Sequence, residues 1–386
     1  MPETDSNQRK NDPMNMATRH TPGLGAVLFL LLLTGCGSGS SAGTATVQPP
    51  QALTAPVVTT SPARNGAVLV SISTATPGTT VYYSTDGSAP TQNSIAYVSP
   101  FLVASAQTVY AIAKAAGATS ATSSLAITTT VPSGTLIWSD EFSNSSGLNA
   151  APDSTVWQFD SMAGGFQTVN NELEVYCGWA SQVAPCTATP NAYVGATDGY
   201  LHIAALQPVT GTYTSARIKT EGKFSMTYGR VEARLKLPEG QGFWPAFWLL
   251  GNNIGSVGWP ACGEMDVMEH INAPVPDWIA GTLHMSGASG AAGPSTHYNV
   301  AASGWHVYGM IWSKGMVQYY VDAPTNIYAT YQASAMPVGA VWPFDSGQAS
   351  FIILNLAVGG SWPGAPDGST TFPSELLVDY VRVYAN

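Results

Sequence analysis

From about residue 55 onward the chain is a series of short runs of β-branched and aromatic residues, punctuated by Gly, Pro, Asn, Asp and Ser. Between 55 and about 130 the runs are VLVSIS, TVYYST, TVYAIAKA and SLAITTT. Beyond residue 136 they are YLHIAAL, RVEARLKL, FWPAFWLL, EMDVMEHI, HVYGMIW, VQYYVD, FIILNLAVG and VDYVRVY. No long stretch repeats its apolar residues at helical spacing, so little helix is expected. The pattern predicts an all-β chain: a small β-sandwich over 55–131, then over 136–386 one large sandwich of two curved sheets, or a barrel.

One run has a different character. Leu24 to Leu33 is a ten-residue apolar stretch, half of the roughly 20 residues that span a bilayer. Arg9, Lys10 and Arg19 precede it, as in a signal peptide. It ends Leu33-Thr34-Gly35-Cys36, followed by GSGSSAG, and so resembles the bacterial lipoprotein signal, in which the Cys becomes the acylated N-terminus. The plainer reading is a secretory signal with an incidental Cys. Either reading has the chain exported, lipid-anchored to the bacterial cell envelope or secreted. Residues 1–36 are then the signal and the uncharged segment 37–54 a flexible linker. An oxidising compartment permits disulfides. Cys177 and Cys186 bracket a short loop and are the expected pair, which leaves Cys262 as a free thiol.

Composition narrows the partner. The 386 residues fit about two domains at roughly 150 residues each. Formal charge is 13 − 23 = −10, and no Lys/Arg-rich run occurs. That excludes nucleic acid, and leaves a lipid anchor as the only route to a membrane. Charged residues make up 9% of the chain, against an average of about 25%, so the surface is built of neutral polar residues. All 11 Trp lie from Trp138 onward, which puts the chemistry in the larger part.

The segment Glu264-Met-Asp266-Val-Met-Glu269-His270 carries the candidate chemistry. On a regular strand Glu264 and Asp266 share a face, and Met265 and Val267 take the other. Strict alternation would give that face to Met268 and deny it to Glu269. If all three acids serve one site, a β-bulge between Asp266 and Glu269 must absorb one residue. Clustered carboxyls repel and raise one another's pKa, which is costly as architecture and useful for cleaving a glycosidic bond. By itself the string also fits a solvated strand edge. Upstream, Trp244 and Trp248 are four residues apart and share a face, suited to stacking on sugar rings or to a place in the core. His270 points off the acid face and reads as structural.

Two resemblances follow from these residues. Thr80 to Thr91 (TVYYSTDGSAPT) resembles the small immunoglobulin-like module found at the ends of chitobiases; Asp86-Gly87 there reads as a hairpin turn. The larger part resembles glycoside hydrolase family 16. The match runs through Trp138-Ser-Asp-Glu-Phe142, Asn170-Asn-Glu-Leu-Glu174, Ser215-Ala-Arg-Ile-Lys-Thr220, Tyr228-Gly-Arg-Val-Glu-Ala-Arg234, the Trp-Pro-Ala-Phe-Trp run and the acid strand. It continues in Gly281-Thr-Leu-His284, Asn355-Leu-Ala-Val-Gly-Gly360 and Val378-Asp-Tyr-Val-Arg-Val-Tyr384. This resemblance implies a β-jelly roll with an open groove, cleavage of polysaccharide with retention, and no cofactor for catalysis. Glu264 matches the nucleophile, Glu269 the acid/base and Asp266 the supporting acid, with Met268 as the extra residue of the bulged, laminarinase-like version. His284 matches a position near the leaving group, and Asn171 and Arg217 match positions that reach sugar hydroxyls. Trp259 and Trp362 would floor distant subsites. A structural calcium in some members implies Glu141, Gly199 and Asp379 as ligands. The implied activity is a monomeric endo-β-1,3-glucanase. The alternatives are a galactan hydrolase, disfavoured by only eight Lys and Arg in 136–386, and a non-catalytic glucan-binding protein, disfavoured because all three acids are present.

Overall fold

A computed structural model describes residues 52–160, 170–271, 277–287, 293–301 and 303–386. The expected signal, Cys36 and all but the last three residues of the expected linker lie outside these. Among the described residues no helix is long and apolar enough to cross a membrane.

The first strands form the small sandwich. Val57–Pro62, Val68–Ser73 and Phe101–Val103 make one sheet; Ile95–Ala96, Thr80–Ser84, Gln107–Ala115, Ala118–Thr119 and Ser123–Ile127 make the other. Alternation along each strand sends Val70, Ile72, Val81, Tyr83, Val109 and Ala111 into a common core. Asp86-Gly87 is not a two-residue hairpin turn. Thr80–Ser84 pairs with Ile95–Ala96 across ten intervening residues, and Asp86 Oδ1 accepts the Ser88 N–H at 3.0 Å in a local bend.

The larger part is a two-sheet sandwich. Among the described residues one sheet has seven strands, in the order Gln158–Phe159, Arg217–Lys219, Ser350–Val358, Phe243–Gly251, Glu264–Glu269, Trp278–His284, Ser295–Asn299. The facing sheet is built around Gly229–Lys236, flanked by Ser374–Tyr384 and Trp305–Ser313. Phe243, Phe247, Leu249, Met265 and Met268 of the first sheet share one core with Val231, Leu235, Tyr308, Met310 and Val381 of the second. Each such side chain contributes about 1.5–3 kcal/mol on burial, so the polar face of the seven-stranded sheet is held by the apolar face beneath it. Cys177 and Cys186 form the expected disulfide, with Cα atoms 5.8 Å apart, and Cys262 is free and buried.

Candidate active site

The acid strand contains the expected bulge. Leu250 pairs with Glu264, Leu249 with Met265 and Trp248 with Asp266; the next residue along the tryptophan strand, Phe247, pairs with Met268, and Ala246 with Glu269. Val267 is therefore the unpaired residue, not Met268 as the family match implied. On the other side the register also shifts, between Asp266–Thr282 and Glu269–Ala280. The extra residue restores parity. Met268 joins Met265 in the core, and Glu264, Asp266 and Glu269 all face away from it.

Each glutamate is held by an indole. Trp259 Nε1–H donates to Glu264 Oε2 at 2.9 Å, and Trp244 Nε1–H donates to Glu269 Oε1 at 3.0 Å. Between the glutamates Asp266 is 3% exposed, and His284 Nε2 lies 3.0 Å from its Oδ2 and 3.7 Å from Glu264 Oε1. Burial raises the pKa of Glu264, and the Asp266 charge adds to the rise; His284 and the Trp259 N–H offset part of it. Glu269 is also raised well above the usual carboxylate range, by burial and then by both neighbouring acids, with His284 and Trp244 opposing. Burial and mutual repulsion thus bias both glutamates toward holding a proton, and each is returned toward the charged form by its indole N–H and by His284. Burial, with Glu264 nearby, pushes the Cys262 thiol up to about 12, so it stays protonated.

Register lays out the rest of the face. One cross-strand row runs Arg217, Asn355, Ala246, Glu269, Ala280, His297. Glu269 is flanked on both neighbouring strands by buried alanines, Ala246 and Ala280. Trp362 stands edge-on to Trp244, ring centres 5.3 Å apart, and lies 5.8 Å from Trp278; Trp278 in turn stacks on His297 at 3.9 Å. Aromatic surface thus continues from Glu269 to the edge strand. On the opposite side Trp248 Nε1–H donates to Asn355 Oδ1 at 2.7 Å, and Asn355 is also hydrogen-bonded to the Tyr176 hydroxyl at 3.3 Å. Arg217 stacks over Tyr176 at 4.5 Å and donates to its hydroxyl at 3.3 Å, with Asp160 3.6 Å away. Asn171, exposed and with φ of 58°, donates to Ser361 Oγ at 2.8 Å, next to Trp362.

Several expectations are revised. Trp259 and Trp362 are not remote: one holds Glu264 and the other packs on Trp244. Of the two places open to Trp248, it takes the acid face, the one expected of a groove residue. Arg217 is engaged by Tyr176 and Asp160, so its first partners are protein groups. His270 is buried, its Nδ1 2.7 Å from the Trp278 carbonyl oxygen, in keeping with a structural role. Trp278, His297, Tyr176 and Asn355 join the face without a local sequence motif that marks them as site residues. Alternation on Ser350–Val358 marks Asn355, whereas Trp278 and His297 depend on inter-strand register.

The residues expected to bind calcium do not fit that role here. Both oxygens of Glu141 accept hydrogen bonds from Arg382, at 3.1 and 2.9 Å. Asp379 is paired with Arg234 at 2.6 Å. A hard cation needs free carboxylate oxygens converging on it. Each of these carboxylates already faces its own guanidinium.

A sandwich with a proton-holding carboxyl cluster on an indole-lined sheet face has the make-up of a glycoside hydrolase. Residues 181–381 match glycosyl hydrolases family 16, and residues 60–124 match the chitobiase/beta-hexosaminidase C-terminal domain. The chain is 38% identical to the beta-glucanase of Rhodothermus marinus over 64% of this chain and 84% of that protein. It is 36% identical to the keratan-sulfate endo-1,4-beta-galactosidase of Sphingobacterium multivorum over 64% of this chain and 54% of that protein. It superposes on the laminarinase catalytic domain of Thermotoga maritima with a TM-score of 0.55 at 36% identity, covering 66% of this chain and 99% of that domain. The chain belongs to glycosyl hydrolase family 16: its large sandwich is the family's jelly roll, it is a glycoside hydrolase, and it carries a chitobiase-type module ahead of the catalytic part.

Proposed function

We propose that the protein is a retaining endo-1,3-β-glucanase acting on laminarin-like polysaccharide. The observation that carries this is the arrangement of Glu264 and Glu269 on one face, each held by an indole N–H, with Asp266 and His284 between them. In the first step ionised Glu264 attacks the anomeric carbon while Glu269 gives its proton to the glycosidic oxygen. The old C–O bond breaks and a glycosyl ester forms on Glu264. Glu269, now ionised, takes a proton from water as that water attacks the same carbon, which restores both carboxyls. Asp266 and His284 tune Glu264: the acid raises its proton affinity and the histidine lowers it. The faces of Trp244, Trp362 and Trp278 offer apolar platforms to the sugar rings, and the two bases on that sheet face, Arg217 and Lys219, are paired with Asp160 and Glu221, which favours a neutral glucan.

Reducing-end release from laminarin, with lichenan, agarose and carrageenan alongside, tests the reading. Glu264→Gln and Glu269→Gln should each lower turnover on laminarin by orders of magnitude while thermal unfolding is unchanged. Near-normal activity in Glu264→Gln, or preference for agarose or carrageenan, overturns it. We further propose that the chain is exported and anchored as a monomer through an acyl group on Cys36. Cys36→Ala should release the enzyme from the membrane fraction into the medium.

A further inference from the structure

The small module shares its core with the catalytic part. Its Ala67 and Leu102 pack into the large core, and Ala349 of the catalytic part packs into the small one. Leu102 N–H donates to the Ser225 carbonyl at 3.0 Å, in the manner of a strand contact. Beside it lies a directed chain of buried polar groups. Asn252 Nδ2–H donates to Ser99 Oγ at 2.8 Å, Ser99 donates to Ser225 Oγ at 3.3 Å, and Ser225 donates to the Pro100 carbonyl at 2.8 Å. Ser99, Ser225 and Asn252 are all buried, so each bond is made away from water, where leaving one unmade is expensive.

Asn252 opens the segment that ends at Glu264. Its own N–H donates to the Ala349 carbonyl at 2.9 Å, so both its backbone and its side chain are tied to the junction. The segment is pinched at its neck, where Gly251 N–H donates to the Gly263 carbonyl at 3.0 Å; a side chain on Gly251 would strike the Cys262 carbonyl. Inside it, Gly258 N–H reaches the Ile254 carbonyl at 2.9 Å, Cys262 N–H the Gly258 carbonyl at 3.0 Å and Gly263 N–H the Pro260 carbonyl at 3.0 Å. Trp259 is carried on this short, internally bonded loop and donates to Glu264.

We propose that the small module is a brace for the catalytic site, in which Ser99 and Asn252 are positioning residues that set the Trp259 indole against Glu264. This rests on the glucanase reading above. It assigns the module a role distinct from tethering or glycan capture, because its contact with the reaction runs through buried protein hydrogen bonds.

The test is a double-mutant cycle in the full chain, with a short 1,3-β-gluco-oligosaccharide as substrate. Ser99→Ala should lower kcat between about threefold and about 100-fold with KM nearly unchanged, as expected of a small misplacement. It should also move the ascending limb of the pH profile to higher pH, because a displaced indole no longer favours ionised Glu264. Trp259→Phe should do the same, the double variant should behave like Trp259→Phe alone, and Ser99→Thr should restore the wild-type profile. If Ser99→Ala does not fold, Ser99→Cys, close in shape with a weak donor, takes its place in the cycle. Full additivity with Trp259→Phe, an unchanged kcat and pH profile, or a loss confined to long polymer overturns the proposal. A wild-type chain that cleaves no 1,3-β-glucan overturns the functional reading instead, and the cycle is then run on the glycan it does cleave.

Discussion

Trp244 donates its indole hydrogen to Glu269 at 3.0 Å, so the residue that presents a flat face to the groove also fixes the carboxyl expected to move the proton. Platform and acid are one unit, because Trp244 is two residues from Ala246, the cross-strand partner of Glu269. Trp244→Phe keeps a ring and removes the donor. The N–H favours the charged carboxylate, so its loss should raise the Glu269 pKa further and move the descending limb of kcat/KM to higher pH. A kcat/KM profile that moves the other way, or not at all, would show that the bond does not act on the acid.

His284→Ala should affect the opposite limb. The histidine lowers the pKa of Glu264. Without it Glu264 ionises at higher pH, and the ascending limb should move up, with the largest activity loss on the acid side. The profile in wild type and variant, taken at constant ionic strength, measures the shift directly.

Much of this was legible from the chain. The odd spacing of Glu264 and Glu269 required a bulge, and the apolar residues around it showed which face was core. What stayed hidden depends on the third dimension. Nothing local to Trp259 says that its loop folds back onto Glu264, and Trp278 meets His297 only through the register of two strands. The same holds for Glu141 and Asp379, whose arginine partners lie on strands that the sequence does not align. The docking of the small module was also invisible, since Ser99, Ser225 and Asn252 are ordinary polar residues until they are buried together.

Glu174 offers a stability test away from the reacting carboxyls. It is buried, its Oε2 accepts the Val358 N–H at 2.7 Å, and burial with Glu172 nearby pushes its pKa up to about 7. A carboxyl whose pKa is raised by folding contributes most below its unfolded value of about 4.3, and that contribution is lost as pH rises through about 7. Glu174→Gln keeps the acceptor and removes the titration. Its melting temperature should therefore depend less on pH between about 5 and 8 than that of the wild type. Parallel curves would mean that Glu174 is charged at little cost.

Trp278→Ala removes the middle ring of the row from Trp362 to His297. Affinity for long glucan should fall several-fold, and hydrolysis of the shortest cleavable oligosaccharide should change little. KM measured against chain length reports this. Equal losses at all lengths would place Trp278 in the support of the acid strand, not on the sugar path.

The central claim is that the bulge at Val267 brings a nucleophile, Glu264, and a proton donor, Glu269, to one anomeric centre. Peptide mass mapping after reaction with a 2-deoxy-2-fluoro laminari-oligosyl inactivator tests it most directly. The account predicts one glycosyl adduct, on Glu264. An adduct on Glu269 or Asp266, or no adduct in an enzyme that still cleaves glucan, would contradict it.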